Sequence, residues 1–261
     1  MPYTKAQIEN SEASSSLKGI LGLECPPIGV RLVKKDENPK DIPPESNRRL
    51  RYCQLLMEAK KGQGATLTSQ NIACPAAAAT LGLLPLPEKI SSGAMLQTLG
   101  LFESKEAAAR TMAQMPRLEL GTFKAVAAAP LEDAKFTPDV VIIEDKPEKI
   151  MWINLASIHE TGGRLSFNSA VFQACCVDVT VIPYLTKNVN VSLGCYGCRD
   201  ATDITDDECL VGIPFEKLRE IVTSLEALSK KAMPEARQKR VYNQFIKAQE
   251  MHGSVAKQME E

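Results

Sequence analysis

Apolar and polar residues alternate from Ile28 to Val33 and give way to Lys34, Lys35 and Asp36, the pattern of a strand with one buried face. Beyond a polar, proline-bearing loop over 36–45 the period changes. Leu50, Cys53, Gln54 and Met57 recur at helical spacing within 46–61, and Gly62 and Gly64 close that helix. Residues 66–71 predict a short polar strand or loop, Pro75 opens a run of small residues at 76–79, and 83–89 is a proline-punctuated connector. Ser104 is placed to cap a helix over 105–114. Two apolar runs, 123–129 and 140–143, are short enough to be buried strands on either side of the turn-rich 130–138. Glu144, Asp145 and Pro147 then signal a helix start, with Ile150, Met151, Asn154, Leu155 and Ile158 along one face as far as Gly162. A helix over 169–181, ended by Pro183 and Tyr184, precedes a strand over 189–193. Pro214 starts another helix, with Leu218, Ile221, Val222 and Leu225 inward. After Pro234, the positions Val241, Phe245, Ala248 and His252 again follow a helical period.

These elements predict an α/β (or α+β) fold, a mixed β-sheet flanked by helices in a single compact chain with a C-terminal helical tail. Residues 1–20 are polar enough to form a loosely held arm, 21–232 make the domain, with residue 120 as a point where two lobes could divide, and 233–261 are the tail. That tail packs either on the domain or on a partner chain.

Composition narrows the function. The 261 residues carry a formal net charge of −1, which leaves no electrostatic footprint for nucleic acid. The longest largely apolar stretch, 72–86, is short and contains Pro75 and Pro85, so no membrane insertion is predicted. The first sixteen residues lack an apolar signal core, which points to the cytoplasm. In that reducing compartment eight cysteines are an anomaly, and with only His159 and His252 available, thiolate ligation fits better than a histidine-rich metal site. No Walker loop, dinucleotide fingerprint, serine elbow or zincin helix is present.

The chemistry concentrates in Cys195-Tyr196-Gly197-Cys198, preceded by Gly194 and followed by Arg199, at the end of a predicted strand. Two thiols in such a turn suit a metal ion, an iron–sulfur cluster or a reversible disulfide, with Gly194 and Gly197 letting the backbone approach a cofactor and Arg199 favouring thiolate or an anion. Residues 199–207 are polar and turn-like, whereas a thioredoxin-type motif runs on into a helix, so redox dithiol chemistry ranks below metal or cluster binding. Cys53 points inward from its helix. Cys74 stands before Pro75 at a helix mouth, where a thiolate is stabilised. Cys175 and Cys176 are neighbours in a predicted helix, about 100° apart, so at most one can serve as a ligand. Cys25 is expected to pack at a strand entrance, and Asp206, Asp207 and Glu208 to be solvated.

With these stretches in view, the chain resembles the uncharacterised family catalogued as domain of unknown function one-six-nine, found largely in anaerobic archaea and bacteria. The resemblance rests on Arg51-Tyr52-Cys53, on Cys74-Pro75 with the alanines and Leu81-Gly82-Leu83 after it, and on a C-terminal block. That block holds Cys176, Val177, Asp178, Asn190, Ser192, Gly194, Cys195, Gly197, Arg199, Asp207, Glu208, Gly212, Ile213 and Pro214. It implies that Cys53, Cys74 and Cys195 belong together. The leading expectation is therefore a four-iron iron–sulfur cluster (4Fe-4S) held by Cys53, Cys74, Cys195 and Cys198, serving electron transfer or a redox-linked step with a redox partner protein. Zinc on the same four thiolates is the nearest rival. A second class is an enzyme using Cys195 as a redox or nucleophilic thiol, with Arg199 and Glu208 handling charge. A third is a scaffold subunit that forms a homo-oligomer through its C-terminal helix.

Overall fold

A computed structural model describes residues 4–170 and 172–258, with side chains as far as residue 249. Six strands form one sheet in the order β2-β3-β1-β4-β6-β5. They are β1 (Ile28–Lys34), β2 (Ala65–Thr68), β3 (Phe123–Pro130), β4 (Val140–Asp145), β5 (Asn190–Ser192) and β6 (Cys209–Pro214). Every pairing between them is antiparallel, and among the described residues parallel contacts occur only at two isolated bridges, Glu45 with Thr66 and Leu50 with Ile72. The fold is thus the expected helices-on-sheet arrangement in its α+β form. Strands from before and after residue 120 interleave, since β3 lies between β2 and β1, so no lobe boundary falls there.

The sheet separates two cores. Along β4, Val140 and Ile142 point to one and Val141 and Ile143 to the other, as the two-residue period of a strand dictates. The first face is covered by α2 (Tyr52–Lys60), α3 (Pro75–Thr80), the short helices α4 (Glu88–Ser91) and α5 (Ala94–Thr98), α6 (Lys105–Gln114) and a π-helix, Ala174–Val181. The second face carries α1 (Lys5–Leu21), α7 (Pro147–Ser157) and α10 (Phe215–Ser229). The chain also forms α8 (Ile182–Thr186), α9 (Tyr196–Ala201), α11 (Ala232–Arg237) and α12 (Arg240–Gln258). Among the described residues no helix is long and apolar enough to cross a membrane.

Several elements depart from the sequence pattern for identifiable reasons. The N-terminal segment is the packed helix α1, not an arm. Thr4 caps it by accepting from the Gln7 amide, and its buried face is half polar: Asn10 donates to the carbonyls of Ala134 and Phe136 at 2.9 and 3.0 Å, and Ser14 to Glu132 at 3.0 Å. Residues 46–50 are not helical: the chain bends at Asn47 and Arg48 between the bridges made by Glu45 and Leu50, and α2 starts only after Arg51. Glu144 and Asp145 end β4, leaving Pro147 to open α7. Strand β6 escaped the pattern altogether: all six of its residues are buried, so it shows no alternation, and Pro214 lies at its end. Pro183 does not end the helical run, which continues as α8. The tail is helical as expected, with His252 beyond the described side chains.

Candidate functional site

Six of the eight cysteines line one cavity of about 80 Å³ on the first face of the sheet: Cys53, Cys74, Cys175, Cys176, Cys195 and Cys198. They come from four segments. Cys53 lies in the first turn of α2, Cys74 is the N-cap residue of α3 with Pro75 in the first turn behind it, Cys175 and Cys176 belong to the π-helix, and Cys195 and Cys198 belong to the turn into α9. No histidine or carboxylate lines this cavity among the described residues. The four cysteines expected from sequence therefore do converge, and Cys175 and Cys176 join them. The neighbouring pair both reach the cavity because this stretch is wound as a π-helix, whose wider turn brings adjacent side chains closer in angle than α geometry does.

The scaffold holds these segments in fixed relation. The Tyr52 hydroxyl and Thr180 Oγ1 are 2.8 Å apart and Thr180 donates to the Cys175 carbonyl at 2.7 Å, joining α2 to the π-helix. Gln54 donates to the Ala201 carbonyl at 3.3 Å, joining α2 to α9. Asp178 accepts from Ser192 at 2.7 Å and from Ser169 at 2.8 Å, and Asn190 donates to the Asp178 carbonyl at 2.8 Å. These bonds tie the π-helix to β5, the strand that delivers Cys195. Burial pushes the Asp178 carboxyl up to about 6 despite its two serine donors.

Cys195 is the N-cap of α9 and Cys198 lies inside that helix, so the motif does run directly into a helix, where the sequence pattern implied a turn. Gly194 adopts φ +83°, a conformation that glycine takes without strain. Gly197 does not need it. It stands in α9 with open space where a Cβ would go and lines the cavity. Cys198 collects hydrogen bonds from the thiols of Cys175 and Cys195 and from the Cys195 amide at 3.0 Å, which with the charge of Arg199 push its thiol down against the effect of burial. Donating to Cys198, together with burial, pushes Cys175 and Cys195 up. Burial and the nearby Cys198 and Cys74 raise Cys53 to about 12, and burial raises Cys176. Gathering several thiolates in this buried space therefore calls for a cation among them.

Arg199 faces away from the cavity. Its guanidinium donates to the carbonyls of Leu193, Thr205 and Glu208 at 2.6, 2.8 and 3.1 Å, stapling the loop after the motif. The cation at the cavity wall is Arg51 instead, and Phe172 and Gln173 complete the wall. Gln173 sits at φ 58°, rare for a side-chain-bearing residue, and its buried Oε1 has no partner, while Nε2 donates to Thr80 at 2.7 Å. Nothing in the local sequence marks Gln173. Glu208 is turned to Thr205, Asp207 pairs with Lys146, and His159 is exposed at the end of α7. Cys25 and Cys209 lie elsewhere, Cys209 on the second face with its thiol 3.7 Å from the Asp145 carbonyl.

Six thiols are a soft donor set, suited to iron–sulfur clusters, zinc or copper(I) and ill suited to hard oxygen-seeking cations. By donor chemistry and number the residues fit a cluster with ligands to spare. Among the described residues no three His, Cys, Asp or Glu side chains already surround a common point as metal ligands.

A six-stranded antiparallel sheet with a thiol-lined cavity on one face is the class this molecule defines. The family model described as "Uncharacterised ArCR", domain of unknown function 169, matches residues 16–224, and the chain belongs to that family. An uncharacterised protein of Methanocaldococcus jannaschii is 28% identical over 220 residues, covering 84% of this chain and 94% of that protein. No solved structure matches significantly.

Proposed function

We propose that the protein binds an iron–sulfur cluster, of the four-iron type, in the cysteine-lined cavity and serves electron transfer or a redox-linked step. The observation that supports this is the convergence of six thiols, and no histidine or carboxylate, from four distant segments. Cys53, Cys74, Cys195 and Cys198 are the ligands. A bound cluster would supply one-electron exchange; the chain's own contribution is to desolvate the site, to donate the Cys195 amide to sulfur, and to set the charge around it. A redox partner protein would meet the site at the cavity mouth.

A second reading draws on the helical seating of the motif. Cys195 and Cys198 open α9 as a dithiol pair would, and in that case Cys198, whose thiol its hydrogen-bond donors push down, is the nucleophile. Anaerobic purification followed by visible absorption, iron and acid-labile sulfide analysis separates the two. Equal iron and sulfide in a brown protein, lost on Cys53→Ser or Cys74→Ser but kept on Cys209→Ser, is the expected result. A colourless protein that also fails reconstitution refutes the cluster; zinc in that sample favours the zinc site, and metal-free protein alkylated selectively at Cys198 favours the dithiol.

A further inference from the structure

The second face of the molecule carries a feature unrelated to the thiol cavity. A groove of about 520 Å³ runs between α1 and α10, floored by Ala13, Leu218 and Val222. Its rim bears Glu9, Glu12, Glu216 and Glu226 against a single arginine, Arg219. Glu9 pairs with Lys5 and Glu216 with Lys187, but Glu12 and Glu226 have no ion-pair partner among the described residues. Along α10 the lining extends from Phe215 to Glu226, about 17 Å of helix.

The chain also presents a helix with the complementary character. In α12, Val241, Phe245 and Ala248 form one stripe at i, i+4 and i+7, joined by Tyr242. Val241, Tyr242 and Phe245 are 80, 58 and 57% exposed, an outlay of apolar surface that a helix with no partner does not need. Lys239, Arg240 and Lys247 flank the stripe, and no acidic residue lies between 239 and 249. The stripe spans about 11 Å, within the length of the groove.

We propose that α12 of one copy of this chain docks in the α1/α10 groove of a second copy, with a reciprocal contact by two-fold symmetry. The exposure of Val241, Tyr242 and Phe245 shows that the stripe does not sit in its own chain's groove. Met233 is buried in the second core and Arg237 pairs with Glu148 of α7 at 3.2 Å, which anchors α11 on α7, and Lys239 then turns the chain through a left-handed φ of 49°. Apolar stripe on apolar floor supplies the attraction, and lysines against unpaired glutamates fix the register.

Full-length protein is mixed as equal parts of nitrogen-14 and nitrogen-15 material and treated with a zero-length carboxyl–amine crosslinker, and its mass is measured by light scattering. The expected result is a two-chain mass and mixed-isotope crosslinks joining Lys239 or Lys247 to Glu12 or Glu226. Phe245→Glu should weaken association at least tenfold while leaving the circular dichroism of the domain unchanged. Glu12→Lys with Glu226→Lys should also weaken it, and combining them with Lys239→Glu and Lys247→Glu should restore it. A monomer over the whole concentration range, crosslinks confined to single-isotope pairs, which would mean that α12 folds back on its own chain, or a dimer indifferent to these substitutions would each overturn the proposal.

Discussion

Gly212→Ala should damage the protein far beyond the methyl group it adds. Gly212 sits in β6, opposite Ile142 of β4 and Asn190 of β5, and the π-helix crosses it closely. A Cβ there would stand 2.2 Å from the Val179 carbonyl oxygen, 2.7 Å from its carbon and 2.8 Å from Pro183 Cγ. Ordinary contact is more than 1 Å longer than the first of these, and that nearest obstacle is backbone, which cannot swing aside as a flexible side chain would. Either β6 leaves its neighbours or the π-helix lifts by about 1 Å. Overpacking of a core costs about 1–3 kcal/mol, and a backbone obstacle puts this case near about 3 kcal/mol. With a urea m-value near 3 kcal/mol/M, the midpoint should fall by about 1 M. Because the lifted segment carries Cys175 and Cys176, a thiol reagent should also modify cavity cysteines faster in the folded variant. Gly197→Ala is the control: open space surrounds that position and its backbone is helical, so stability should be unchanged or rise by up to about 1 kcal/mol. A Gly212→Ala protein within about 0.5 kcal/mol of wild type, with unaltered thiol reactivity, would refute the close packing on which this reasoning depends.

Asp178, raised to about 6 by burial, stabilises the fold most when protonated; its contribution is complete below about pH 4 and disappears as pH rises through 6, so the stability gap between wild type and Asp178→Asn should move by about 2–3 kcal/mol against the wild type between pH 4 and pH 8 in parallel urea titrations. Lys60, 9% exposed, pairs with Glu144 at 2.5 Å and Asp203 at 3.0 Å, and these pairings outweigh the burial that alone would lower it; Lys60→Met should cost about 3 kcal/mol at pH 7.5 and less at pH 4.5, where the stranded, already raised Glu144 can take a proton, and an equal loss at both values would contradict this. Arg199→Lys keeps the charge but loses the fork that reaches three carbonyls, so it should cost about 2 kcal/mol and speed amide exchange over 193–208; a neutral effect would mean that Arg199 acts by charge alone.

The parts of this fold legible in the sequence are those in which one local period matches one burial pattern. Helix α10 repeats Leu218, Ile221, Val222 and Leu225 on its buried face, and Ser104 caps α6 through the Ala107 amide at 3.1 Å, whereas β1 alternates in residue type although both its faces are largely covered. Where burial is two-sided or the buried face is polar, the pattern is silent. Strand β6 shows no alternation because both its faces are covered, and α1 hides behind Asn10 and Ser14, whose partners lie more than a hundred residues away. That Cys53, Cys74 and Cys195 belong together is implied by the family resemblance, and Cys198 joins them through its Cys-x-x-Cys spacing with Cys195. Adding Cys175 and Cys176 together required the π-helix, a winding that no local residue preference announces. The charge of Arg199 does lower the Cys198 thiol, as expected, but its three carbonyl partners are backbone groups that no reading of side chains reveals.

The dispersal of the cavity thiols has a consequence for how the protein is made. In the unfolded chain the six sulfurs are not a site; only two local pairs exist, Cys175 with Cys176 and Cys195 with Cys198. The second spacing closes readily into a disulfide, and either pair can capture a stray metal ion, which would hold the chain unfolded by mass action. Folding removes that hazard by burying all four of these sulfurs, with Cys198 left 2% exposed. The period of greatest vulnerability is therefore synthesis, when Cys195 and Cys198 have emerged and the strand and helices that will cover them have only begun to assemble. An organism that keeps this protein must either hold its nascent chains reduced or fold them faster than their thiols are found.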